Sequence, residues 1–376
     1  MMININYSIH KIVTISDIHF GATDPVYMYN ILQDQFITRI SILDFDILAI
    51  CGDLFDSKFM SNNPIISYAI TFIDNLVKLC RLKNATLVLL EGTQSHDSGQ
   101  LKLFYHYLND PTIDIRIVEQ MKFEIIKNMR ILCIPEKYGI SEDTYIQYLF
   151  NSGQYDLCFM HGTFKGSFKG SEIATLNSNK APVFSINSFK NCLGPILMGH
   201  YHIAGCYEQY AYYNGSALRY HFGEEQEKGF LITVYNQFTR YHYTELIPIE
   251  SKKYVTISIN DIMNNDPKSI IDYILKLKET NNIDYIRIQF NNINENIGLV
   301  KAYFRNNQNI VFQELDRKLK ELEKIDKNIL EQNQQYSYII DNNIDDYTKF
   351  VTYVNNREGK DFITVDELIN LLESKV

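Results

Sequence analysis

The chain has no tryptophan, no Cys-x-x-Cys pair, and no apolar run approaching the roughly 18 residues of a membrane span. The missing span predicts a protein that works outside membranes. The opening stretch "MMININYSIHK" lacks a basic start followed by a long apolar segment, so it does not read as a secretory signal, and a cytoplasmic location is expected. The six cysteines are scattered, and Cys51, Cys133 and Cys158 fall inside apolar, strand-like runs. They are expected as buried free thiols in a reducing compartment. Positive charge is also scarce: 36 Lys and Arg stand against 45 Asp and Glu, a net charge of −9. A protein that holds DNA by charge alone is basic, so any nucleic-acid contact must be local, metal-assisted or shared with a partner. The lack of tryptophan, with many Ile, Asn, Tyr and Lys, reads as the codon bias of an AT-rich genome and excludes nothing. A hydrophobic content of 45% excludes global disorder, and 376 residues suffice for two domains or one domain with appendages.

What is present is one pattern repeated five times. "HKIVTIS" runs into Asp17-Ile18-His19, and "DILAIC" into Gly52-Asp53-Leu54-Phe55-Asp56. "ATLVLLEG" runs toward Ser95-His96-Asp97, "YDLCFM" into His161-Gly162, and "LGPILM" into Gly199-His200-Tyr201-His202. Short, continuously apolar, β-branched runs suit strands buried on both faces. Between them lie helical patterns. Residues 26–43 place Met28, Ile31, Leu32, Ile40 and Leu43 near one face, and residues 65–80 do the same with Ile66, Ala69, Ile70, Ile73, Val77 and Cys80. Alternating strands and helices predict an α/β layered fold, in which sites gather at the carboxyl ends of strands. All five polar clusters fall there.

The histidines sharpen this reading. Of nine in the chain, five (His19, His96, His161, His200 and His202) belong to these clusters. His200 and His202 are two apart, so an extended backbone points both to one side. Imidazole mixed with carboxylate suits Mn, Fe or Zn better than Mg or Ca. Six or seven such ligands are too many for one ion and enough for two, about 3.5–4 Å apart with a shared carboxylate. Such a pair favours hydrolysis of a phosphoester.

The order Asp-x-His, Gly-Asp-x-x-Asp, His-Asp, His, Gly-His-x-His resembles the calcineurin-like metallophosphoesterases, a four-layer αββα sandwich. Within them "GDLFDS" resembles the SbcD-like nuclease subunits of DNA repair and recombination. The protein phosphatases carry Arg-Gly after the second Asp and a Gly-Asn-His-Glu motif, and neither occurs here. "YYNGSALRYHFGEEQEKGF", residues 212–230, is similar to the stretch that closes the nuclease domain in that family. The match covers residues 10–250 well and the remainder loosely.

The resemblance implies a site. A first metal would take Asp17, His19, Asp53 and His202, and a second Asp53, His161 and His200, with Asp53 as the bridge. His96 would face the scissile phosphate and stabilise or protonate the leaving oxygen, with Asp97 orienting it. Asp56 stands where some relatives have a second histidine and is either a supporting residue or a structural one. The family's usual Gly-Asn-His-Asp, whose Asn binds metal, is replaced here by "GTQSHD", two residues longer. Ser95, just before His96, is expected in the Asn role, as a shorter and weaker neutral ligand acting directly or through water. The cofactor implied is two divalent ions, Mn²⁺ first, with Mg²⁺ or Fe²⁺ as alternatives.

The resemblance also divides the chain into a nuclease domain (1–250), a small α/β capping domain (251–314), and a linker helix with C-terminal helices (315–376). "KKYVTISI", "DYIRIQF" and "NIVFQEL" read as strands of the cap, with helices at 267–279 and 295–306 between them. In "HGTFKGSFKG", Lys165 and Lys169 either contact DNA phosphates or sit in a solvated turn; the loop is not a P-loop, because it lacks the Gly-Lys-Ser/Thr ending. Near the end, Tyr347, Phe350, Val351 and Val354 form one stripe. A second helix opens with a Thr364–Glu367 capping box and aligns Val365, Leu368, Ile369 and Leu372. These helices either dock a coiled-coil ATPase of the SbcC type, in a homodimer within a heterotetramer, or fold back on the chain's own cap. Three functions stay open at this point: a DNA exo- or endonuclease subunit, a phosphoesterase of nucleotides or small phosphodiesters, and a non-cutting scaffold that holds the ATPase at DNA ends.

Overall fold

A computed structural model describes residues 9–151, 153–167, 181–259, 266–291 and 295–315, with single positions from Thr348 to Glu367. By contact density the chain forms two compact units, residues 1–256 with 276–286, and residues 257–275 with 287–376.

The first unit is built on two six-stranded sheets. One comprises β1 (Ile9–Ile15), β2 (Ile47–Cys51), β3 (Thr86–Leu90), β4 (Asp114–Val118), β13 (Gly229–Asn236) and β14 (His242–Pro248), in the order β14-β13-β1-β2-β3-β4. Its strands β1 to β4 run parallel, and β13 and β14 close it antiparallel. The other comprises β5 (Lys122–Ile126), β6 (Met129–Ile134), β7 (Leu157–His161), β10 (Ile196–Gly199), β11 (Gly205–Tyr207) and β12 (Ala211–Tyr213), in the order β11-β12-β10-β7-β6-β5. Here β6, β7, β10 and β12 are parallel. A short pair, β8 (Thr163–Phe164) with β9 (Val183–Phe184), lies beside it in sequence.

The pleat divides each strand between two cores. In β2, Ile47, Ala49 and Cys51 enter one cluster with Leu157, Phe159 and Leu197 of the opposite sheet. Leu48 and Ile50 point the other way, into a cluster with Met28, Leu32, Ile73 and Leu76. Those four residues come from α1 (Pro25–Leu32) and α3 (Pro64–Lys83), and a π turn at Gln33–Ile37 joins α1 to α2 (Thr38–Ser41). On the second sheet Cys158, Met160, Ile196 and Met198 turn outward onto Tyr145 and Leu149 of α4 (Glu142–Asn151). The layers are therefore helix, sheet, sheet, helix: the alternation in the sequence predicts an α/β layered fold, and the family resemblance implies this four-layer form. Cys51, Cys133 and Cys158 are buried free thiols.

The cap-like sequence also takes its expected elements. Strands β15 (Tyr254–Ser258), β16 (Tyr285–Phe290) and β17 (Ile310–Glu314) form a three-stranded sheet in that order, and helices Pro267–Asn281 and Glu295–Tyr303 separate them in sequence. At Thr364 the capping box closes: the Glu367 amide donates to Thr364 Oγ1 at 3.3 Å, and the Thr364 amide to Glu367 Oε2 at 2.8 Å. The remaining residues of both C-terminal helices, and Lys169, lie largely or wholly outside the described residues. No helix among the described residues is long and apolar enough to cross a membrane.

Candidate metal centre

The carboxyl ends of β1, β2, β3, β7 and β10 meet at one place. Asp17 and His19 follow β1, Asp53 and Asp56 follow β2, Thr93 and His96 follow β3, His161 ends β7, and His200 and His202 follow β10. The turns that aim them are strained. Asp17, His19, Asp53 and His200 have φ of 49°, 51°, 51° and 100°, the left-handed region that side chains avoid. Each such residue costs about 1–3 kcal/mol and persists only where its surroundings over-determine it. The backbone supplies that: the Ile18 and His19 amides donate to Asp53 O, and the His200 amide donates to the Asp17 carboxylate at 3.1 Å. Two glycines are required by close approach. A Cβ on Gly52 would lie 2.1 Å from His161 Nδ1, and one on Gly92 would lie 2.2 Å from Asp53 Oδ1.

The ligand atoms converge. Asp17, His19 and His202 offer atoms within 4.8 Å of one another, and so do Asp17, Asp53 and His161. His19 Nε2 faces His202 Nε2 at 3.1 Å, and Asp53 Oδ2 is 3.4 Å from His161 Nε2. The outer nitrogens are anchored. His161 Nδ1 pairs with Cys51 O at 2.8 Å, and His202 Nδ1 with Glu224 Oε1 at 2.8 Å, which leaves each Nε2 turned inward. Glu224 also accepts from the Tyr220 amide at 2.6 Å, and burial opposed by His202 and Lys228 brings its pKa down to about 2. The stretch around residues 216–228 thus holds His202 in place, while the Tyr220 ring lies edge-on to His19.

Electrostatics follow from burying acids and bases together. Burial pushes Asp17 up despite the histidines around it. Burial would also raise Asp53, but His161 and His19 outweigh it and hold Asp53 far below the usual range. Burial lowers His19 to about 3 against the pull of Asp53. Burial opposes charge on His161 too, yet Asp53 and Asp17 carry it well above its ordinary value; at His202 Glu224 and Asp17 outweigh burial and raise it. The carboxylates demand positive charge in their midst. Protons on His161 and His202 and a divalent cation compete for that place, so metal affinity should fall with acidification. The donor set, the inward-turned nitrogens and the strained turns all fit a metal centre.

The structure departs from expectation in the loop after β3. Ser95 is exposed, and its hydroxyl hydrogen-bonds Tyr138 instead of entering the cluster. The residue that enters is Thr93. Its amide donates to Asp53 Oδ1 at 2.6 Å, and its hydroxyl lies 3.2 Å from Asp53 Oδ2 and 3.3 Å from His161 Nε2. The two extra residues, Gln94 and Ser95, therefore fall after the residue that enters the cluster and not before it. Thr93 directly follows Gly92, a spacing that could have been read from the sequence.

Asp97 also has a different task from the one expected. Its carboxylate accepts from the amides of Gly92 at 2.9 Å, Phe55 at 3.0 Å and Leu54 at 3.3 Å, tying the β2 and β3 loops together. Burial and Asp53 raise its pKa to about 7 against these amides. Among the described residues no hydrogen bond joins it to His96, whose buried Nδ1 has no hydrogen-bond partner there. His96 lies on the wall of a cavity of about 300 Å³, together with His19, Asp53, Asp56, Thr93, His200, His202 and Tyr220. Asp56 Oδ1 lies 3.7 Å from His19 Nδ1, a supporting position. Lys165 pairs with Glu142 at 2.6 Å. One carboxylate the sequence did not flag, Glu136 after β6, stands 3.1 Å from His200 Nδ1.

No protein-family model matches the chain. The chain is 21% identical over 274 residues to a protein named "Putative phosphoesterase 244L" from Invertebrate iridescent virus 6, covering 69% of this chain and 90% of that one. Among solved structures it is similar to the cold-active protein-tyrosine phosphatase of a psychrophilic Shewanella species. That match has 13% identity and a TM-score of 0.27, and it covers 62% of this chain and 80% of that one. A protein of unknown function from Aquifex aeolicus is similar at 18% identity and a TM-score of 0.22, over 46% of this chain and 94% of that one.

Proposed function

We propose that the chain is a metal-dependent phosphodiesterase and that its substrate is DNA. The observation that carries the first step is the convergence of four imidazoles and two buried carboxylates at the carboxyl ends of two facing sheets, with Asp17, His19, Asp53 and His200 held in left-handed turns. The name of the viral relative, a phosphoesterase, supports the same class. DNA as substrate, and a coiled-coil ATPase as partner, rest on the resemblance of "GDLFDS" and its companion motifs to SbcD-like nucleases. The acidic net charge accords with a chain that relies on a partner to hold DNA.

Asp17, His19, Asp53 and His202 would hold one divalent cation, and Asp53, His161, His200 and Thr93 a second, with Mn²⁺ favoured by the mixed imidazole and carboxylate set. When bound, such cations neutralise charge on the phosphate and lower the pKa of the attacking water. The protein's own residues do the rest. Asp53 stays ionised between His19 and His161. Glu224 and the Cys51 carbonyl fix the tautomers of His202 and His161. His96, on the cavity wall, is placed to give a proton to the departing sugar oxygen.

The test is to incubate the purified chain with labelled linear duplex DNA, single-stranded DNA and a chromogenic diester. Each is run with Mn²⁺, Mg²⁺ or chelator, and with and without a coiled-coil ATPase. Mn²⁺-dependent DNA degradation is expected. Turnover of the small diester with none of DNA would overturn the DNA reading, and no hydrolysis at all would overturn the class. Thr93→Ala should raise the Mn²⁺ concentration for half-maximal activity several-fold, whereas Ser95→Ala should leave it unchanged. The reverse result in that metal titration would return the ligand role to Ser95.

A further inference from the structure

Glu136 has no role in the site as described so far. It lies two residues past the end of β6, on the sheet that contributes His161 and His200. It is 4% exposed, and its Oε2 is buried without an aligned hydrogen-bond donor among the described residues. A buried carboxylate needs positive charge close by, and the groups Glu136 faces are the imidazoles of His161 and His200. Its neighbour Lys137 does not relieve it, because that ammonium pairs with Glu91 at the end of β3. The Lys137–Glu91 pair instead pins the segment and fixes where Glu136 points.

It points at the candidate metal centre. Glu136, His161 and His200 offer ligand atoms within 4.8 Å of one another. Glu136 Oε2 and His200 Nδ1 are 3.1 Å apart without hydrogen-bond alignment. Adjacent ligands of one octahedral ion, with bonds of about 2.1 Å, lie about 3 Å apart. The same spacing separates His19 Nε2 from His202 Nε2 at 3.1 Å. Two neighbouring pairs, one on each side of Asp53, thus share the spacing of atoms that bind a common ion.

The chemistry of the second position explains the need. Its neutral oxygen is a threonine hydroxyl, a weaker donor than an amide carbonyl. Its carboxylate charge comes from Asp53 alone, which the other position shares. A dication held by Thr93, His161, His200 and half of one carboxylate would be under-neutralised, and oxygen-preferring Mn²⁺ would bind it poorly.

We infer that Glu136 is an anionic ligand of the second metal position and offsets the weak donor at Thr93. This inference rests on the two-metal phosphodiesterase reading. It makes the second position richer in carboxylate than the sequence motifs indicate.

The test is Mn²⁺ binding followed by calorimetry and by metal analysis after dialysis, on the full chain and on Glu136→Gln, Glu136→Asp and Asp53→Asn. Glutamine keeps the shape of the side chain and can still accept a hydrogen bond from His200 Nδ1, but it carries no charge. A residue that only positions His200 would tolerate that change. Two Mn²⁺ are expected on the unaltered chain. On Glu136→Gln the weaker of the two should lose about 10–100-fold in affinity, the scale found when a metal site loses a supporting group. Glu136→Asp, which keeps charge and loses reach, should fall between. Thermal unfolding of the metal-free variants checks that each is folded. If Glu136→Gln binds two Mn²⁺ as tightly as the unaltered chain, the ligand assignment is wrong while the two-metal reading stands. If the unaltered chain binds no Mn²⁺, both fail.

Discussion

Asp53→Asn is expected to abolish hydrolysis and to strip the centre of metal. Asp53 is the residue on which the two halves of the site depend. Its Oδ1 accepts the Thr93 amide at 2.6 Å, while Oδ2 lies 3.8 Å from His19 Nε2, 3.4 Å from His161 Nε2 and 3.2 Å from the Thr93 hydroxyl. An asparagine can keep the Thr93 bond through its carbonyl. It then presents an NH₂ group where an anion faced two imidazoles. The fold should survive, because the amides that clamp the neighbouring loops go to Asp97. Activity should drop by at least about 10³-fold, the upper scale for loss of one preorganised electrostatic group. In the proposed two-metal site Asp53 would bridge both positions, so metal content should fall for both.

The same substitution has a second readout. In the unaltered chain burial disfavours charge on His161, and Asp53 reverses that effect. Removing Asp53 leaves burial opposed by Asp17 and Glu136 alone, so the metal-free variant should titrate His161 at a lower pH, measurable by NMR of the imidazole protons. An Asp53→Asn chain with normal metal content, normal turnover and an unmoved His161 would overturn the bridging assignment.

The parts of this site that were legible in the sequence are those built from local rules. A strand buried on both faces needs continuous apolar residues, and β2 and β7 show it, with Leu48 and Ile50 entering one core and Ile47, Ala49 and Cys51 the other. Polar residues at the ends of such strands have one place to gather, which is why Asp17, Asp53, His161 and His200 could be grouped before any coordinates. Three features escaped, Thr93 through a misjudged spacing and Glu136 and Asp97 because they depend on contacts distant in sequence. Thr93 was hidden by the length of its loop: proximity to His96 pointed to Ser95, while proximity to Gly92 decided the matter. Glu136 follows a strand whose end carries no recognisable motif, and only the juxtaposition of β6 and β7 reveals it. Asp97 stands beside His96 in sequence, yet its carboxylate turns back to the amides of Leu54, Phe55 and Gly92.

That last difference bears on His96→Gln, which is expected to lower turnover on DNA by about 10²-fold or more while leaving Mn²⁺ content unchanged. The His96 ring lies edge-on to His19, with centroids 5.0 Å apart, on the wall of the cavity. The main chain holds it. The His96 amide donates to Thr93 O at 2.9 Å, and Gln100 Nε2 donates to His96 O at 2.5 Å and to Ser57 O at 2.9 Å. Gln100 Oε1 in turn accepts the Phe59 amide at 2.9 Å, so the His96 loop is bound to the loop after β2 whatever the ring itself does. Glutamine at 96 should therefore leave the loop in place and remove the imidazole proposed to pass a proton to the leaving oxygen. The loss should depend on the leaving group. A nitrophenolate departs without a proton, so a nitrophenyl diester should be cleaved with a much smaller deficit than DNA, whose sugar oxygen needs one. Because His96 also lies within 4.8 Å of ligand atoms of His19 and Asp53, a contrary result is equally definite. If His96→Gln loses metal, and loses activity equally on both substrates, His96 is a ligand and the proton must come from elsewhere.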